Sequence, residues 1–86
     1  MYVIIVYDVF QKRVNKLCKF LRKYLNWIQN SVFEGEINES SFEKMKIGIK
    51  KIIKEDDSII IFKTENKKWL GREVIGKEKS EINHII

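Results

Sequence analysis

The 86-residue chain has no proline, one cysteine and one histidine. With no proline, no Gly/Ser linker, no repeat and no low-complexity segment, nothing divides it, and its length suits one domain with a modest core. A core of that size sits close to where burial becomes marginal, so a partner subunit would help it. Cys18 has no second thiol to pair with, and its place on an apolar helix stripe makes it a core thiol and not a nucleophile or ligand. His84 lies in the C-terminal tail, where a surface or interface role is expected. No zinc spacing, Gly-rich phosphate loop, Ser-His-Asp set or paired-carboxylate motif is present, which removes most ready-made catalytic templates. No apolar run approaches the ~20 residues that span a bilayer. The N-terminus lacks the three parts of a signal peptide, so a cytoplasmic protein without membrane contact is expected.

Acids are missing from one long stretch. None falls between Asp8 and Glu34, where Lys12, Arg13, Lys16, Lys19, Arg22 and Lys23 supply six cations. The net charge of +5 is therefore concentrated on what reads as the first helix. Such a face is the footprint expected for phosphate backbones, and a lysine-rich solvated helix would carry the same pattern.

What is present begins with Tyr2-Val3-Ile4-Ile5-Val6-Tyr7, an apolar run that ends on Asp8. It is too short for a helix, is rich in β-branched and aromatic residues and shows no alternation, so it predicts a central strand covered on both faces. An acid directly after such a strand stands where α/β layers tend to place their sites. On spacing alone Asp8 is equally readable as a turn residue or helix cap.

Val14, Leu17, Cys18, Leu21, Leu25 and Ile28 then recur at helical spacing and predict an amphipathic helix over about 11–25. Residues 27–37 change period and predict one strand, with Gly35 marking a bulge or close backbone approach. Asn38 is a good N-cap, with Ile37 and Phe42 placed as a hydrophobic staple. The second helix should bury Phe42, Met45, Ile49, Ile52 and Ile53 and end near 55–57, at a cost of ~1 kcal/mol for Gly48. Ile59-Ile60-Ile61-Phe62 predicts a buried strand, 65–68 a polar turn and 69–76 a less regular strand. The order strand, helix, strand, helix, strand, strand is best matched by an α+β, ferredoxin-like βαββαβ-type sandwich with an antiparallel sheet. The expected division is a ferredoxin-like domain over 1–76 and a C-terminal hinge and strand over 77–86, paired with a sheet edge of a second protomer.

Metal-assisted phosphodiester cleavage normally takes more than one carboxylate to hold magnesium, since that ion prefers oxygen ligands in near-octahedral geometry. Asp8 alone falls short, and a two-fold dimer would supply its symmetry mate. Phe10 departs from this picture, because a polar residue after Asp8 would better hold water or metal.

Val6-Tyr7-Asp8, Lys12-Arg13, Gln29-Asn30-Ser31-Val32-Phe33-Glu34-Gly35 and, further on, Trp69-Leu70 with Arg72-Glu73-Val74-Ile75-Gly76-Lys77 together resemble a known family. The chain is similar, over essentially its whole length, to the small CRISPR-associated nuclease that works with the CRISPR integrase in spacer acquisition. The resemblance implies a symmetric homodimer with exchanged terminal strands and a magnesium-dependent endonuclease acting on RNA or double-stranded DNA in antiviral defence. It also implies that Asp8 is the catalytic and metal-binding acid, that Arg13 contacts the scissile phosphate, that Ser31 supports the metal or its water, and that Phe33 shapes the dimer cleft, although Ser31 and Phe33 are equally readable as strand packing. Lys12 and Lys16 suit phosphate contacts without base reading. Two other readings keep the fold: a non-catalytic DNA-binding scaffold for the integrase, and a toxin-like ribonuclease. An RNA-recognition module is disfavoured, since the strands lack paired stacking aromatics in the required context.

Overall fold

The structure, a computed structural model, describes residues 1–65 and 73–80. Strand β1 (Tyr2–Asp8) leads through helix α1 (Gln11–Leu21) to strands β2 (Asn26–Gln29) and β3 (Val32–Glu36), then helix α2 (Glu39–Ile52) and strand β4 (Ser58–Thr64). All pairings are antiparallel in the order β2-β3-β1-β4, which puts β1 at the centre. This is the expected ferredoxin-like βαββαβ arrangement.

Side-chain alternation along β1 decides what is buried. Val3, Ile5 and Tyr7 point into a cluster with Leu17 and Leu21 of α1 and Phe42, Met45 and Ile49 of α2. Each fully buried aliphatic side chain contributes roughly 1.5–3 kcal/mol, so this cluster fixes the register of the central strand. The opposite face is not covered in the same way, which corrects the expectation of a strand enclosed on both sides. Tyr2, Ile4 and Val6 are only half-buried there, and their β4 neighbours Ile60 and Phe62 are 51% and 58% exposed. The run shows no alternation in sequence because both faces are apolar, although the described helices cover one.

The stretch expected as one strand over 27–37 is instead a two-stranded hairpin. Gln29 pairs with Val32 across Asn30 and Ser31, and Asn30 adopts a positive φ of 41°, a conformation that asparagine tolerates better than most residues. The Trp27 indole N–H and the Tyr7 hydroxyl both donate to the Asn30 carbonyl, at 3.1 and 3.3 Å. Gly35 does mark a close approach, since a Cβ there would meet Leu25 Cδ2 at 3.2 Å.

Both helices end earlier than their apolar spacing suggests. After Leu21 the chain continues in turns, with Tyr24 and Leu25 N–H donating to the Leu21 carbonyl at 2.9 Å, and Leu25 still reaches the core. Helix α2 starts as expected, with Asn38 Oδ1 accepting from Ser41 N–H at 2.8 Å and both staple residues buried. It stops at Ile52 with Lys50 and Lys51 in its last turn, a favourable pairing with the dipole that leaves the following acids free for another task. Gly48 faces Phe20 so closely that a Cβ would fall 2.1 Å from the ring. Seating an aromatic ring between the helices offsets the ~1 kcal/mol that glycine costs.

Residues 73–76 form no strand, and the rest of the strand and turn expected between 66 and 72 lies outside the described residues. So do the terminal strand expected over 81–86 and His84. The segment from Glu73 to Glu78 lines a pocket of about 240 Å³ with Ile28 and Gln29, on the β2 side of the sheet.

Candidate active site

Asp8 is the last residue of β1, opposite Ser58 of β4, and is exposed. Alternation places it with Val6 and Ile4, on the sheet face that neither helix covers. Among the described residues no side chain binds its carboxylate. Antiparallel pairing brings the β2–β3 turn to the same end of the sheet, where the Tyr7 N–H donates to the Ser31 carbonyl at 3.0 Å. Ser31 is thus set beside the residue that precedes Asp8.

An open cleft of about 410 Å³ starts at Asp8 and runs past Phe10, Gln11 and Arg13 to Asp56 and Asp57. Arg13 does not reach freely into it. Its Nε and Nη2 donate to the two oxygens of Asp57 at 2.6 and 3.0 Å, a bidentate fork with only 2% of the Asp57 side chain exposed. The same carboxylate accepts from the backbone N–H of Phe10 at 2.8 Å and of Lys54 at 2.9 Å. Asp57 therefore ties the loop after Asp8 to the loop after α2. It also supplies, from across the sheet, the anion at the start of α1 that Phe10 cannot supply from its own side chain. The Arg13 guanidinium holds the Asp57 carboxyl far below the usual carboxylate range, and Asp57 in turn raises the Arg13 pKa.

Asp57 was not legible as a site residue. The sequence signal was there, as a third acid after a helix that had already ended, but an acid and an arginine 44 positions apart carry no spacing rule. Asp56, exposed on the same cleft wall, was missed for the same reason.

The remaining expected residues separate clearly. Lys12 and Lys16 are exposed on α1, with Lys12 Nζ 5.9 Å from the Phe10 ring centroid. Phe33, for which the resemblance implies a place at a dimer cleft, is wholly buried beneath the helices. Its ring is tilted 6.2 Å from that of Tyr7, and its burial is complete because β3 turns it to the side of Ile5. Packing of this strand against the helices accounts for its burial within the chain. Cys18 joins the core margin as expected, with its Sγ 3.0 Å from the Tyr7 hydroxyl. Burial, reinforced by that contact, pushes the Tyr7 pKa up to about 12.

Among the described residues no set of three or more acid, histidine or cysteine side chains is placed to hold a metal ion. Among the described residues Asp8 is an unpaired hard oxygen ligand of the kind magnesium takes. The donor chemistry fits that ion, and the ligand number requires another source.

A family model described as "CRISPR associated protein Cas2" matches residues 1–72. The chain is 56% identical over its full length to a CRISPR-associated endoribonuclease Cas2 of Methanocaldococcus jannaschii, covering 76% of that protein. It is 54% identical to the protein of the same name from Pyrococcus furiosus, with complete coverage of both chains. Among solved structures, one described as a crystal structure of cas2 superposes with a TM-score of 0.85 at 46% identity, over 92% of this chain and 90% of the other. Streptococcus pyogenes Cas2 superposes with a TM-score of 0.78 at 30% identity, over 88% of this chain and all of the other. The fold and the full-length similarity agree, and the chain belongs to the CRISPR-associated Cas2 family.

Proposed function

We propose that two copies of this chain form a two-fold dimer that hydrolyses phosphodiester bonds of RNA or double-stranded DNA in CRISPR spacer acquisition, with magnesium as cofactor. The observation that carries this reading is the position of Asp8. Its carboxylate stands at the end of the sheet face that neither helix covers, the face that also carries Ile4 and Val6 of β1 and the exposed Ile60 and Phe62 of β4. A two-fold axis through that face would bury the apolar stripe and bring Asp8 toward its symmetry mate.

The pair of Asp8 carboxylates would hold the ion, and Ser31, at the same end of the sheet, is suited to orient a water. When bound, magnesium supplies polarisation of a phosphoryl oxygen and activation of water. Lys12 and Lys16, exposed on α1, draw the phosphate backbone to the cleft. Arg13, its charge offset by Asp57, fixes the shape of the cleft wall. The name endoribonuclease carried by the relatives supports RNA as a substrate. Cytoplasmic action beside CRISPR integrase subunits completes the reading, and no described helix is long and apolar enough to cross a membrane.

The test is cleavage of labelled single-stranded RNA and duplex DNA by the purified protein, with magnesium or EDTA, for wild type and Asp8→Asn. Loss of cutting with EDTA and in the variant, with the oligomer unchanged, is the expected result. Undiminished cutting by Asp8→Asn removes the catalytic assignment. The exposed cations of α1 favour one second reading, a DNA-binding scaffold for the integrase, which salt-sensitive duplex binding without any cleavage would establish.

A further inference from the structure

Phe10 is 60% exposed although it is among the largest apolar side chains of the protein. Among the described residues no packing contact of the core requires it. It stands at the N-cap position of α1 without capping the helix, and it lies outside the core cluster. Its position is nonetheless fixed twice, by its backbone N–H on Asp57 and by the Arg13 guanidinium, whose carbon is 5.5 Å from the ring centroid. Arg13 is itself held by Asp57, so ring, cation and carboxylate form one rigid unit on the wall of the cleft that begins at Asp8. Lys12 Nζ, on an exposed and unanchored side chain, is 5.9 Å from the same ring.

An exposed aromatic ring, held rigid and flanked by cations, is the chemistry that binds an unpaired nucleobase together with its phosphate. A base in a duplex is already stacked on both faces and cannot use such a ring without leaving its helix. We propose that Phe10 is a stacking platform for an unpaired base next to the phosphodiester at Asp8, so that the site prefers single-stranded nucleic acid. In this arrangement Lys12 exchanges the ring for the phosphate as the base arrives. The proposal rests on the reading of the Asp8 cleft as the phosphodiester site, and it turns the apolar residue after Asp8 from an anomaly into a selectivity element.

The test uses the full chain in an Asp8→Asn background, so that binding is read without cleavage. The probe is a short single-stranded RNA carrying 2-aminopurine, whose fluorescence falls when the base stacks. Binding with quenching is expected, together with at least about fivefold weaker binding and lost quenching in Phe10→Leu. Phe10→Trp is expected to retain both, and duplex DNA affinity is expected to be equal in all three. Unchanged RNA binding in Phe10→Leu overturns the platform, as does an equal loss on duplex. A shift of Phe10→Leu to a smaller species in sedimentation also overturns it, by assigning the ring to a protein interface. Quenching that depends on Phe10, found with a wild-type chain that cleaves nothing, would sink the nuclease reading and leave the platform standing. Cleavage without such quenching does the reverse.

Discussion

Two buried polar contacts act on opposite limbs of the pH-stability curve. The Asp57 carboxylate, with four hydrogen bonds of which Arg13 donates two, binds its proton more weakly in the folded chain than in the unfolded one. The stability it contributes is full above the ordinary carboxylate pKa near 4 and drains as pH falls toward the folded value. Asp57→Asn should therefore melt several degrees lower than wild type at neutral pH, and the gap should narrow below pH ~3. Thermal melts across pH measure this, and a gap that stays constant into acid would mean that the ion pair is not its source. Tyr7 has the opposite sign. Its folded pKa of about 12 means that its stability contribution is intact below the ordinary value near 10 and is lost as pH rises toward about 12. Absorbance of the phenolates after a stopped-flow pH jump should show one of the three tyrosines ionising last, and Tyr7→Phe should remove that phase. Of the residues lining the cleft, the sequence showed Asp8 and Arg13 but neither Asp56 nor Asp57. A carboxylate at a strand end is a local pattern, whereas the Asp57 fork joins two loops that only the finished sheet brings together.

At the scale of the elements, the contact between α1 and α2 turns on Gly48. Alanine is the better helix former by ~1 kcal/mol, yet its Cβ would lie 2.1 Å from the Phe20 ring and 5.3 Å packing of that ring on Tyr24 would be disturbed. Displacing a packed ring costs about 1–3 kcal/mol, so Gly48→Ala should be net destabilising in the wild-type background. In a Phe20→Ala background the clash is gone and the same substitution should stabilise. Urea unfolding of the four proteins in this double-mutant cycle measures the coupling, and the same sign in both backgrounds would show that the ring moves aside without cost. The sequence displayed the glycine but not its neighbour, because periodicity assigns a face within one helix and says nothing of which residue crosses it. The hairpin escaped detection for a related reason. Its two strands are short, its turn is two residues long, and Asn30, the only residue with an unusual backbone there, sits in a polar trio that also fits one irregular strand. Helix starts were legible and helix ends were not: Asn38 is a chemical signal, whereas α1 leaves its helical path while Leu25 continues the apolar spacing.

At the scale of the molecule, the exposed apolar pair Ile60 and Phe62 and the carboxylate of Asp8 share one face of the sheet, and under the proposed function that would couple assembly to activity. Ile60 and Phe62 are too exposed, and too close to each other on alternate positions of β4, to be left facing water in a domain whose core is already small. If a second copy covers them, one charge placed in the middle of the stripe should cost far more in the dimer than in the monomer, where the side chain is open to solvent. Phe62→Glu is therefore expected to fold, with a wild-type circular dichroism spectrum, and to sediment as a monomer. It is also expected to lose magnesium-dependent cleavage while retaining Asp8, because a single Asp8 leaves the ion short of ligands. Nucleic-acid binding through Lys12 and Lys16 should survive, weakened by the loss of the second basic surface. Sedimentation velocity and cleavage measured on the same preparation decide the matter. A folded Phe62→Glu monomer that still cuts at the wild-type rate would show that one Asp8 is enough, and the site would then have to be completed from within the protomer, with Asp56 on the facing cleft wall as the first residue to substitute.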